Sequence, residues 1–166
     1  MRAYRAVLVV ALAAFTLTAC SSSEPARTGP FDPCTEISDA VFKDARYDPA
    51  SKKTTQTVTG RESRCTLSGT TASDHGSLML EHPNTVTVGL TYDYFLASAQ
   101  SGGTAATVTK VNGRDAYLSG QGLLGCTITL RTATSALSLT VSDHHSSDCP
   151  AAERVAAKLE PSIGSR

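Results

Sequence analysis

The chain has 166 residues, with 15 Lys and Arg against 15 Asp and Glu, no tryptophan and five cysteines. A formal net charge of zero without a basic run argues against nucleic acid as a partner and against an electrostatic grip on anionic lipid. Aromatics make up only 5% of the chain, so a core must come from Val, Leu, Ile and Ala, and covalent bracing would support so thin an interior.

Arg2 and Arg5 precede an apolar run from Ala6 to Leu17 that is broken only by Thr16. As a helix, the 14 residues from Ala6 to Ala19 span about 21 Å, short of the ~30 Å hydrocarbon core of a bilayer, so a membrane-spanning helix is not expected. A positive start, a short apolar stretch and small residues at its end form the layout of an export signal. Leu17-Thr18-Ala19-Cys20 resembles the bacterial lipobox. The resemblance implies a diacylglyceryl thioether on Cys20, cleavage before it, and a new amino group open to a further acyl chain such as palmitate. Stable anchoring takes two chains, since each buried methylene adds only about 0.8 kcal/mol. The competing reading is an ordinary signal peptide in which Cys20 is incidental.

Residues 1–19 are therefore expected to be a lipoprotein signal peptide, 20–30 a lipidated cysteine with its tether, and 31–166 a single α+β domain. Loss of residues 1–19 leaves 147 residues carrying 13 basic against 15 acidic side chains, a slightly acidic protein of one-domain size. Ser21 to Pro30 is rich in Ser and Pro without apolar periodicity; ten such residues have a root-mean-square reach of roughly 17 Å.

From Phe31 onward, Asp32-Pro33-Cys34 predicts a capped helical turn, and Ser38 offers a second cap for a helix with Ile37, Val41, Phe42 and Ala45 on one face. Tyr47-Asp48-Pro49 is expected to end it. Thr54 to Thr59 and Arg64 to Leu67 read as strands, as do Leu78 to Leu80 and Thr85 to Val88, the last two parted by His82-Pro83-Asn84. Tyr92 to Gln100 has Tyr92, Phe95, Leu96 and Ala99 at helical steps, which leaves Tyr94 outward. Asn112-Gly113 is a strong hairpin signal between Ala106 to Val111 and Arg114 to Ser119. Leu124 to Arg131 and Ala136 to Val141 alternate as a second hairpin. Asp148 would then cap a helix from near Pro150 with Ala152, Val155, Ala156 and Leu159 buried, before Pro161 and Gly164 release the chain.

Hairpin strands with separate helices argue for an α+β fold, an antiparallel sheet with helices packed on one face. If Cys20 carries lipid, Cys34, Cys65, Cys126 and Cys149 remain, and in an exported chain they are expected to form two disulfides. Three pairings are open. The two local loops, Cys34 with Cys65 and Cys126 with Cys149, are favoured, each contributing about 3.5 kcal/mol if unstrained. Zinc would want close C-x-x-C pairs, which are absent.

Asp32-Pro33-Cys34, Arg64-Cys65-Thr66, Asn112-Gly113-Arg114-Asp115-Ala116, then Cys126 and Cys149 before a terminal helix, all behind a lipobox, resemble the actinobacterial lipoproteins grouped as domain of unknown function 3558. Leu67 departs from the Trp expected after Arg-Cys-Thr. The resemblance implies an exported, membrane-anchored α+β domain with paired cysteines, and supplies no reaction.

Three stretches invite a chemical reading. Gly120-Gln121-Gly122-Leu123-Leu124-Gly125 matches G-x-G-x-x-G, but it leads into a strand, whereas a dinucleotide needs a helix N-terminus there, so a loop between the two hairpins is expected. Asp143-His144-His145-Ser146-Ser147-Asp148 offers imidazoles and carboxylates, making Asp143, His144, His145 and Asp148 the candidate metal ligands, with His75 and His82 as distant supplements. Against this, adjacent residues diverge, and a polar run before a helix is ordinary loop chemistry. Ser73-Asp74-His75 is too compact for a triad, and no G-x-S-x-G elbow is present.

The expected function is thus a lipid-anchored protein on the extracytoplasmic face of the cell membrane, a non-enzymatic binding or accessory module without cofactor or catalytic residues. Its partners would be the membrane, through lipid, and an envelope protein or small ligand. The alternative is a metal-dependent or hydrolytic envelope enzyme centred on Asp143 to Asp148.

Overall fold

A computed structural model describes residues 31–56, 62–70, 76–83, 90–103, 105–122, 125–142 and 149–164. Their elements run α1 (Pro33–Glu36), α2 (Asp39–Asp44), β1 (Tyr47–Gln56), β2 (Glu62–Gly69), β3 (Ser77–Pro83), α3 (Tyr92–Ser101), β4 (Thr107–Val111), β5 (Arg114–Gly122), β6 (Gly125–Arg131), β7 (Ala136–Ser142) and α4 (Cys149–Leu159), followed by a 3-10 turn, Glu160–Ser162. The fold is the expected α+β class, with one antiparallel sheet in the order β1-β2-β3-β7-β6-β5-β4. Two meanders, β1-β2-β3 and β4 to β7, join through the β3–β7 pair.

Alternation along the strands creates the two faces. Leu137, Leu139 and Val141 on β7, and Cys126, Ile128 and Leu130 on β6, are buried in one large core. The same core takes Cys34 of α1, Phe42 of α2, and Ala152, Val155, Ala156 and Leu159 of α4. Three helices therefore share one face. α3 connects the central β3 to the edge strand β4, and its Tyr92 packs with Tyr117 and Ala136 in a second, smaller cluster. Tyr117 lies between Ala116 and Leu118 of the main core, so α3 covers the opposite face. Beyond it that face is polar: cross-strand neighbours Thr127 and Thr140 share a 2.8 Å hydroxyl hydrogen bond, and Thr129 and Ser138 one of 3.1 Å.

The disulfides are the two local loops. Cys34–Cys65 ties α1 to β2, and Cys126–Cys149 ties β6 to the start of α4. Both fasten short helices to the sheet on the main-core face. In the chain-entropy picture, loops of 31 and 23 residues each contribute about 3.5 kcal/mol.

Local chemistry explains most element ends. The Asp32 side chain accepts a 2.9 Å hydrogen bond from the Cys34 backbone N–H, with Pro33 just inside the helix. Glu36 Oε1 accepts from the Asp32 N–H at 2.8 Å, closing the turn. Ser38 occupies the N-cap position of α2 but makes no side-chain cap hydrogen bond. After α2 the chain does not pass through a loop. Arg46 adopts a left-handed φ of 68° and β1 begins at the next residue. Pro49 thus sits inside a strand, instead of ending the preceding helix as Tyr47-Asp48-Pro49 predicts. The position is tolerated because β1 is an edge strand and its register slips between Asp48 and Lys53. His82 and Pro83 likewise complete β3 rather than breaking it. The expected strand at Thr85 to Val88 and the Asp148 cap lie outside the described residues.

Candidate functional site

Asn112-Gly113-Arg114-Asp115-Ala116 is the motif that the fold uses most fully. Asn112 and Gly113 both have positive φ, 50° and 84°, as a two-residue hairpin between β4 and β5 requires. The Asn112 side-chain amide donates to the Ala157 carbonyl at 2.9 Å, gripping the last turn of α4. Arg114 is 3% exposed and faces the main core beside Val111. Its Nε donates to Glu160 Oε1 at 2.8 Å, Nη1 to the Arg131 carbonyl at 2.9 Å and Nη2 to the Gly164 carbonyl at 2.7 Å. A planar guanidinium suits three acceptors in fixed directions, which a lysine could not reproduce. Gly164 is consequently held by Arg114 instead of releasing the chain. Ala116, two residues beyond Arg114 and on the same face, is fully buried in the main core.

On the α3 face, charges meet aromatic rings. The Arg131 guanidinium lies 4.2 Å from the Tyr92 ring centroid and forks onto Asp93, with Nη1 to Oδ2 at 3.0 Å and Nη2 to Oδ1 at 2.6 Å. Arg131 Nε is 3.3 Å from Asp115 Oδ2, and Asp115 in turn accepts from Lys110 Nζ at 2.7 Å. Hydrogen bonding to Arg131 holds the Asp93 carboxyl below its usual range, and hydrogen bonding to Lys110 does the same for Asp115. Burial pushes the Tyr92 hydroxyl up to about 12, so it stays protonated. This network fastens α3 to β5 and β6. Ser135 Oγ adds a 3.0 Å bond to the Leu90 carbonyl just before the helix. Tyr92 is buried as its spacing predicted, Phe95 is half-buried, and Tyr94 is 56% exposed.

His82 is neither on a loop nor open to a metal. It is 1% exposed on the main-core side, edge-on to Phe31 at 5.5 Å, with Nε2 3.4 Å from Thr132 Oγ1. Nδ1 has no hydrogen-bond partner among the described residues. Burial lowers its pKa from 6.5 to about 4, because the imidazolium would lose its hydration. The unfolded chain therefore binds the extra proton first. Stability from this residue is complete above pH 6.5 and is lost as the pH falls through 4, a difference of about 3 kcal/mol. Urea denaturation at pH 7, 5.5 and 4 is expected to show this decline. His82→Gln should remove most of it, and parallel pH profiles for both proteins would contradict the assignment.

The candidate metal ligands Asp143, His144, His145 and Asp148, together with His75 and the lipidation candidate Cys20, lie outside the described residues. Among the described residues no three His, Cys, Asp or Glu side chains are grouped to hold a metal ion. The glycines of G-x-G-x-x-G belong to the β5–β6 hairpin, where Gly122 pairs with Gly125. Gly120 has φ 67° at a register slip after Ser119, the signature of a bulge rather than of a phosphate loop. Searches of protein-family models, of curated proteins and of solved structures find no match to this chain. What the residues of the two polar clusters do, on this geometry, is hold elements together. The Asn-Gly turn is legible in the sequence, but both clusters hinge on long-range pairs, Arg114 with Glu160 and Gly164 and Arg131 with Asp93, that lie 38 to 50 positions apart.

Proposed function

We propose that this chain is a lipid-anchored protein of the extracytoplasmic membrane face, whose α+β domain is a non-enzymatic binding or accessory module. One observation carries the reading. The two disulfides use Cys34, Cys65, Cys126 and Cys149, which leaves Cys20 as the remaining one of five cysteines, at the position where a lipobox places the acceptor thiol. Paired cysteines also agree with an oxidising compartment. Phe31, whose side chain is buried in the main core, follows Cys20 after the ten residues Ser21 to Pro30. A tether of that length would let the domain stand clear of lipid headgroups. The resemblance to the lipoproteins of domain of unknown function 3558 points the same way.

Labelled palmitate supplied to a bacterial host should enter the wild-type protein and not the Cys20→Ser variant, and the variant should leave the membrane fraction. Equal membrane partitioning of both proteins would reject the anchor. For the module itself, the expected result is a partner that co-purifies from detergent-solubilised envelopes or a ligand that raises the melting temperature. Failure of both, with enzymatic turnover that disappears in the His144→Ala, His145→Ala double variant, would instead favour the enzyme.

A further inference from the structure

The two edges of the sheet are built differently. β1 carries the devices that discourage edge pairing: Pro49, a register slip, and Lys52 and Lys53 in succession. β4 has neither proline nor register slip and only one lysine along Thr107-Val108-Thr109-Lys110-Val111, four of whose five residues are β-branched. Its one charge, Lys110, is neutralised by Asp115 at 2.7 Å. Val108 is 60% exposed, and with Tyr94 it is one of two large hydrophobic residues so exposed among the described residues. On its outer side β4 has no strand neighbour among the described residues.

We propose that β4 is a homotypic interface, pairing antiparallel with β4 of a second copy about a two-fold axis through Thr109. That register sets Thr109 opposite Thr109, Thr107 opposite Val111, and Val108 opposite Lys110 of the other copy. Each exposed valine then packs on a lysine stem whose charge is already held by Asp115, and the two lysines do not face each other. A two-fold axis joining antiparallel edges stands normal to the sheet, so both copies present the same face to the same side. α1 and Phe31 lie on the main-core face, hence both tethers leave from one side and both lipids can enter one membrane. The choice of a second copy as the occupant rests on the proposed anchor. A pairing of five residues is small, and confinement to one surface supplies the effective concentration that it needs.

The test places a cysteine on the axis of the full-length protein in membranes. Opposed Cα atoms lie about 4.5 or 5.5 Å apart, within disulfide range, so Thr109→Cys should give a covalent dimer under mild oxidation, mapped to 109–109 by mass spectrometry. Thr107→Cys should not, since its two copies would lie roughly 13 Å apart along the strand. Adding Val108→Lys sets lysine against Lys110 twice per dimer and should lower the Thr109→Cys dimer yield about tenfold, whereas Val108→Glu should preserve it. Both substitutions are on an exposed side chain, and the two native disulfides report that each variant is folded. No 109–109 bond in a folded variant, equal yields with Lys and Glu, or capture of a different polypeptide at position 109 would overturn the proposal. Repeating the cross-linking in Cys20→Ser protein at high concentration separates the two readings, because membrane fractionation reports the anchor and the 109–109 bond reports the edge.

Discussion

Arg114→Met is expected to destabilise the protein by about 3–5 kcal/mol, the usual cost of removing one member of a buried ion pair. Arg114 and Glu160 have side chains only 3% and 6% exposed, so the Glu160 carboxylate would lose its guanidinium in a site that water hardly reaches. Two carbonyls, of Arg131 and Gly164, would lose their donor in the same step. For a domain of this size the loss should lower the melting temperature by roughly 10 °C or more. Arg114→Lys should recover little of it, since an ammonium cannot meet three acceptors spread around a plane. The double variant Arg114→Met, Glu160→Met should be more stable than Arg114→Met alone, because it removes the stranded charge as well. Thermal denaturation of the four proteins checks each statement. A drop of less than 1 °C for Arg114→Met would show that the clamp contributes little.

Why Arg114 was legible as part of a motif but not as a clamp follows from distance along the chain. The Asn112-Gly113 turn is local: two residues with positive φ between alternating runs mark a hairpin wherever they occur. Glu160 is 46 residues away, and no periodicity in either segment records that they meet. The same division holds across the fold. Leu137, Leu139 and Val141 announce their strand by alternation, and Ala152, Val155, Ala156 and Leu159 their helix by spacing. The start of β1 at Tyr47 was hidden because Pro49 signals a break in isolation, and only its place on the sheet edge makes it acceptable. The side of the sheet that α3 covers depends on the joining of β3 to β7, a contact between strands separated by more than fifty residues. Local loops also favoured the disulfide pairing that the fold contains, although cysteine count alone left three pairings open. His82-Pro83-Asn84 signals a chain break locally, and the burial of His82 against Phe31 is again a long-range fact.

Gly125→Ala should be at least as damaging as the loss of Arg114, for a reason confined to backbone geometry. Gly125 opens β6 with φ 99°, a conformation that side chains with a β-carbon rarely adopt. A β-carbon there would overlap the carbonyl oxygen of Val141 on the neighbouring strand, and the Val141 carbonyl carbon and Ser142 Cα lie close behind. These are backbone atoms of a paired strand, so no flexible side chain can move aside. Relief requires β6 and β7 to separate where Cys126 pairs with Val141, beside the disulfide to Cys149. Overpacking of a core side chain commonly costs about 1–3 kcal/mol, and a backbone collision combined with an unfavourable φ should exceed that range. Gly103→Ala is the matching control: its φ is also positive, 73°, but a β-carbon there meets nothing within 4 Å. That variant isolates the cost of backbone conformation, expected to be about 1 kcal/mol. The difference between the two variants in urea midpoint then measures the clash at Val141, and equal midpoints would show that β6 and β7 yield at this point without loss.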